Sequence, residues 1–414
     1  MWMNRGNNRE KMESLVQNCT TYLHKLCVEI QDRSVGTEGN RKAASYFETT
    51  ITSFGWAAER QEFEAVDWEE DGARLQVGDR SFEVLVSPYS LGCDVQGELV
   101  SVADLHELEG KEIHEKILLL HGEIAREQIM PKNFVFYNPE EHQRIISLLE
   151  KGSPAAIVCA TGRNSSTAGG VYPFPLIEDG DFDIPSVFMT EEEGSRLLPL
   201  AGKTALLQSR STRIHGTGFN VVASKGMQSA GRILITAHID AKRGTPGAID
   251  NATGVVVLML LADLLKDYDG NKGIEIVALN GEDYYAVPGQ MLFLERMQGR
   301  FKEILLNINI DGAGFKEGLS AFSFYGLPEG IQKKAEAVIG KFDGITEGDQ
   351  WVQGDHSIFI QNGVPAVAVS SSWLIENMDN QEITHTPKDN FEIVDCRKLV
   401  EIARALELLI RSIH

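Results

Sequence analysis

The sequence predicts an α/β protein: a mostly parallel central sheet with helices on both faces, interrupted by an inserted α+β, β-rich domain. Three observations predict it. From about residue 211 onward, strand-like and helix-like runs alternate. The strands there are apolar throughout rather than at every second position, which is how strands buried on both faces read. Residues 63–210 have a different texture, with a hairpin and short apolar strands. A chain of 414 residues has room for about two domains.

Met12, Leu15, Val16, Cys19, Leu23, Leu26, Cys27 and Ile30 recur at helical spacing and predict an amphipathic helix with its apolar stripe against a core. A second helix is expected from about Asn40 to Phe54, stopping at Gly55. "ARLQVGDRSFEVLV" predicts a hairpin turning at Gly78 and Asp79, and "KILLLHGEI" a buried strand. "PEEHQRIISLLEKGSPAAIVCA" reads as helix, Gly turn and strand, and "IPSVFMTEEEGSRLLPLAG" as strand, then helix. Farther on, "GRILITAHID", "GIEIVALNGED", "ILLNINIDGAG" and "VPAVAVSSS" predict strands, and "ATGVVVLMLLADLLKDY" a mostly buried helix. An amphipathic helix, "CRKLVEIARALELLIRSI", ends the pattern. The expected division is a discontinuous domain of residues 1–62 and 211–414 with residues 63–210 inserted.

The 39 basic and 60 acidic side chains leave a net charge of -21. Such a surface repels phosphate backbones and anionic lipid, which argues against nucleic-acid and membrane partners. No stretch has signal-peptide character or bilayer length, and five scattered cysteines form no C-x-x-C. These features predict a cytoplasmic protein.

The informative polar residues sit where apolar strands stop. His238 and Asp240 end one strand, Glu282 and Asp283 the next, and Asp311 a third. Ligands of open α/β sheets bind outside the carboxyl ends of strands. One acidic residue at such a place is ordinarily a turn or cap residue. A whole set at one rim repels itself unless positive charge lies among it, and a divalent metal fits. Imidazole together with carboxylate suits zinc.

The ordered series of His-x-Asp, Asp-Asn, Glu-Asp, Asp and "THTPKD" resembles the co-catalytic zinc aminopeptidases, a family that includes glutamate carboxypeptidase, glutaminyl cyclase and the transferrin-receptor ectodomain. The resemblance implies a phosphorylase/hydrolase-like fold, two zinc ions per chain and a peptide substrate with a free N-terminus. His238 and Asp311 would hold one zinc, Asp283 and His385 the other, and Asp250 would bridge them. Glu282 would be the general base for a zinc-activated water. Asp240 would hydrogen-bond His238 from behind. The peptide after the bridging residue is cis in relatives, which here is Asp250–Asn251. Residues 63–210 are similar to a protease-associated domain through "KILLLHGEI", "KGSPAAIVCA" and "DGDFDIPSVFMT".

The chain departs from the family at three places. Asp283 is one methylene shorter than the usual Glu. Thr384 stands where many relatives have an oxyanion-stabilising Tyr, which leaves Tyr284, Tyr285, Tyr325 or zinc alone for that role. "YYAVPGQ" replaces a Gly-Ser run. "QGDHSIFIQNG" resembles a substrate-side stretch in relatives, so Asp355 and His356 are candidates for substrate contact or helix capping. An aminopeptidase is the expected activity. The alternatives are a carboxypeptidase or dipeptidase of the same fold, gripping a carboxylate with Lys242 and Arg243, and an inactive receptor-like scaffold.

Overall fold

A computed structural model describes residues 3–163, 171–226 and 231–413, with side chains from residue 10 onward. The chain divides into two compact units, Met1–Ala65 with Thr217–His414, and Val66–Gly216. In chain order the elements begin with α1 (Met3–His24), α2 (Glu38–Ser53) and β1 (Ala57–Val77). Next come β2 (Arg80–Phe82), β3 (Leu85–Val86), β4 (Cys93–Val102), α3 (Leu105–Gly110), β5 (Ile117–Leu120), α4 (Glu140–Gly152), β6 (Ala156–Thr161), β7 (Ser186–Thr190) and α5 (Glu191–Leu197). After β8 (Thr204–Lys225) come β9 (Arg232–His238), α6 (Thr253–Leu264), β10 (Gly273–Leu279), α7 (Pro288–Met297), β11 (Ile304–Ile310) and β12 (Ser320–Tyr325). The chain then forms α8 (Glu329–Ile339), β13 (Ile345–Glu347), α9 (His356–Gln361), β14 (Ala366–Ser371), α10 (Ser372–Glu376) and α11 (Cys396–Ser412).

In the first unit the strands run in the order β13-β12-β14-β11-β9-β10-β8. Strand β9 is parallel to β10 and β11, and β11 to β14. The pairs β10–β8 and β12–β14 are antiparallel. Ile233, Ile235 and Ala237 join the core shared with α6 and α11, while Leu234 and Thr236 on the opposite face are equally buried. A strand covered on both sides must be apolar at every position, which is why these runs show no alternation. Polar residues that do enter the sheet bond one another, as Thr236 Oγ1 does by donating to Asn309 Oδ1 at 2.7 Å. Helix α6 is buried from Thr253 to Ala262, enclosed by α11, α1 and α2.

In the second unit β4, β5, β6 and β7 are parallel, flanked by β3 and by the first part of β8 running antiparallel. This centre is more parallel than an α+β reading implies. Helices α3 and α4 lie in the β4–β5 and β5–β6 connections, and a crossover helix lets consecutive strands run the same way. The hairpin of β1 and β2 turns at Gly78 with φ +64°. The expected Gly turn after α4 is made instead by Ser153, at φ +48°. Gly152 stays helical, and a Cβ there would lie 2.4 Å from Ile113 Cδ1, so its smallness serves packing. Among the described residues, no helix is long and apolar enough to cross a membrane.

Candidate metal centre

Strand register assembles the centre. Leu279 of β10 lies opposite His238 of β9, and Asn309 of β11 lies opposite Thr236. Two residues beyond Asn309, Asp311 therefore stands level with His238. Glu282 and Asp283 arrive from the turn after β10, Asp250 from the loop that follows β9, and His385 from the loop before α11. His238 Nε2 lies 3.1 Å from Asp250 Oδ1 and 3.6 Å from Asp311 Oδ1. His385 Nε2 lies 3.0 Å from both Asp250 Oδ2 and Asp283 Oδ1. The Asp250 carboxylate thus faces one imidazole with each oxygen. Donor atoms of His238, Asp250 and Asp311 lie within 4.8 Å of one another, as do those of Asp250, Asp283 and His385, and of His238, Glu282 and Asp283.

The donor set fits a metal. Both ring nitrogens of His238 and Oδ2 of Asp283 are buried without a hydrogen-bond partner. Orphaned polar atoms this deep are costly unless an ion or water completes them. Two imidazoles among carboxylates are the hard-to-borderline donor mixture that zinc takes.

Protonation reports the same demand for positive charge. Burial alone would lower both imidazoles. Asp311, Asp240 and Asp250 reverse this at His238, and Asp283 and Asp250 reverse it at His385, so both are held well above the ordinary histidine range. Burial, followed by the Asp283, Asp311 and Asp355 carboxylates, pushes Glu282 well up against the opposing pull of His238. Burial and Asp250 likewise raise Asp283. The field at the centre binds cations, whether protons or metal.

Several side chains hold these groups in place. Asp240 accepts from Gly281 N at 2.7 Å and from Asp283 N at 3.0 Å, fixing the turn that carries Glu282. Its Oδ1 is 3.7 Å from His238 Nδ1, outside hydrogen-bond distance, so the expected bond to that imidazole is not made. The Asp250–Asn251 peptide is cis. Asn251 donates to Ile310 O at 2.8 Å and accepts from Gly254 N at 2.9 Å, joining the start of α6 to the end of β11. Gly254 permits that approach, because a Cβ would lie 2.6 Å from Ile310 O. His385 has φ +60°, a left-handed conformation that costs roughly 1–2 kcal/mol. Gln381 braces the preceding turn by accepting from Ile383 N at 2.7 Å and Thr384 N at 3.0 Å and donating to Thr384 Oγ1 at 2.7 Å.

The surroundings correct other expectations. Tyr325 cannot serve an oxyanion, because its hydroxyl donates to Trp351 O at 2.6 Å and accepts from Trp351 N at 2.7 Å. Asp355 makes no side-chain cap on α9. It is buried, accepts from Gln290 Nε2 at 3.1 Å, and is pushed up to about 7 by burial and by Asp311 and Asp240 against the pull of His238. His356 is buried with Nε2 3.0 Å from Trp351 O, so it lies behind the rim. Sequence reasoning named Asn251 only through its peptide bond with Asp250 and did not single out Gln381, Arg33 or Asp389. The last lies within the quoted "THTPKD", and its partners are 139 and 140 residues away.

Residues 220–410 match the family described as Peptidase family M28. Aminopeptidase YwaD of Bacillus subtilis (strain 168) is 23% identical over 238 residues, which is 54% of this chain and 50% of that protein. The chain thus spans about half the length of the first curated relatives it matches. Among solved structures, an aminopeptidase from Aneurinibacillus sp. strain AM-1 superposes with a TM-score of 0.75 at 21% identity, covering 96% of this chain and 93% of that one. A zinc aminopeptidase from Bacillus subtilis gives a TM-score of 0.71 at 18% identity, covering 96% and 94%. These likenesses establish a shared fold.

Proposed function

We propose that this chain, whose residues 220–410 match the family described as Peptidase family M28, is a metal-dependent aminopeptidase of that family that hydrolyses the N-terminal peptide bond of peptides. The observation that carries the reading is the Asp250 carboxylate set between His238 at 3.1 Å and His385 at 3.0 Å, with Asp311 and Asp283 beside them. His238 and Asp311 would hold one zinc and His385 and Asp283 a second, with Asp250 available to both. When bound, the metal supplies Lewis acidity that polarises the scissile carbonyl and lowers the pKa of water.

Glu282 takes the proton from the attacking water and delivers it to the leaving amine. Asp240 positions that base through Gly281 N and Asp283 N. The surplus of carboxylates draws in an α-ammonium, which favours cleavage at a free N-terminus. The carboxypeptidase reading needs Lys242 and Arg243 for a carboxylate. Arg243 Nε lies 3.6 Å from Asp32 Oδ2, which supports the aminopeptidase instead. Residues 63–210 form an inserted protease-associated-like domain, a reading supported by the separate compact unit Val66–Gly216. Cytoplasmic residence is supported by five free cysteines.

Elemental mass spectrometry after dialysis against trace zinc tests the metal reading, with about two equivalents expected. Release of amine from amino-acid amides, but not from N-acetylated peptides, is the expected activity. One equivalent or none, or equal turnover of acetylated peptides, overturns it.

A further inference from the structure

We infer that Asp389 is a positioning residue that ties the Asp250 loop to the His385 loop and so sets the metal affinity of the site; this rests on the metal reading above. Asp389 is fully buried. Its Oδ1 accepts from Ile249 N at 2.6 Å and its Oδ2 from Asp250 N at 3.0 Å. Its backbone carbonyl accepts from Ala248 N at 3.2 Å. One residue therefore receives three consecutive amides of the segment that presents Asp250. Asp389 N donates to Thr386 O at 3.1 Å, closing a turn that starts beside His385. The separation of Asp250 from His385 is then a property of one connection, consistent with the 3.0 Å between Asp250 Oδ2 and His385 Nε2.

The rest of the same loop is gripped by the opposite charge. Arg33, also buried, donates to Ile239 O at 3.1 Å, Pro246 O at 2.8 Å and Gly247 O at 2.7 Å. A carboxylate thus collects the loop's N–H groups and a guanidinium its carbonyls, both by charge-assisted bonds. The hydrogen bonds that the Asp389 carboxylate accepts come from backbone N–H groups. Its effect on the site passes through the backbone of Asp250.

The test is Asp389→Asn in the full chain, which keeps the shape but sets an amide N–H against one of the two backbone donors. Zinc affinity is read by competition with a chromophoric chelator, the visible spectrum is read with cobalt(II), and melting is read in excess chelator. Affinity falls about tenfold to a hundredfold with an altered cobalt spectrum, while the metal-free protein melts cooperatively. Wild-type affinity and an unchanged spectrum overturn the inference and leave the metal reading standing. A wild-type protein that takes up no metal overturns both. Metal uptake without peptide hydrolysis overturns only the activity. Were Asp389→Asn not to fold, Asp389→Glu, which keeps charge and acceptors but lengthens the connection, is expected to weaken zinc in the same direction. Unchanged affinity in that variant overturns the inference.

Discussion

Both units place polar side chains just past the carboxyl ends of parallel strands, and those side chains do different work. After β4, Asp104 accepts from Glu107 N at 2.8 Å and caps α3. At the end of β7, Thr190 accepts from Glu193 N at 3.2 Å and caps α5. Each completes a helix that starts at once. After β9 no helix starts at His238, and neither of its ring nitrogens finds a hydrogen bond. The helix that does follow is served by Asn251, whose Oδ1 accepts from Gly254 N, so the Asp250 carboxylate is left for the imidazoles. What separates a cap from a candidate ligand is whether a free backbone N–H is within reach. All groups of three or more potential metal donors found among the described residues belong to the first unit.

Four perturbations sharpen this contrast, from the largest effect to the smallest. Glu282→Gln is expected to lower turnover by about a hundredfold to ten-thousandfold while zinc per chain stays constant; parallel loss of zinc would make Glu282 a ligand rather than a base. Stripping metal with chelator is expected to remove stabilisation of about 4 kcal/mol where zinc stood a thousandfold above its Kd. Calorimetry with and without zinc measures this, and an unmoved transition breaks the distinction between the two strand rims. Leu258→Ala, at a fully buried position of α6, is expected to destabilise by about 2–5 kcal/mol through the cavity it leaves. Urea unfolding followed by tryptophan fluorescence checks it. Asp104→Ala removes a cap and is expected to cost about 0.5–2 kcal/mol with peptidase rate and zinc content unchanged. A loss of zinc in that variant would show that the rim of the second unit is not confined to capping.

The elements were legible wherever a local pattern decides them. Helix α2 spans Glu38–Ser53 against an expectation of about 40 to 54, and the hairpin turns at Gly78 as expected. Continuous apolar runs marked β9, β10 and β11 as doubly buried. Strand β12 escaped notice because it pairs antiparallel to β14 from a short segment without a strong signal of its own. At the candidate metal centre, strand ends brought His238, Glu282, Asp283 and Asp311 to attention, and the resemblance to zinc aminopeptidases added Asp250 and His385. Asn251 could have been found by its three-residue spacing to Gly254, a capping interval.

By itself the sequence determined which side chains are of metal-donor type and that His238, Glu282, Asp283 and Asp311 lie where buried strands stop. Both are local matters of side-chain chemistry and hydrophobic run length. Tertiary structure alone decided that these groups meet. The level placement of Asp311 with His238 is a consequence of inter-strand register, which no single strand contains. Asp389 reaches Asp250 across 139 residues and Arg33 reaches Ile239 across 206, through backbone groups that every residue possesses and no sequence pattern marks. Hydrogen bonds to the main chain depend on where the chain folds rather than on which residues it passes, and here they hold the segment that presents Asp250.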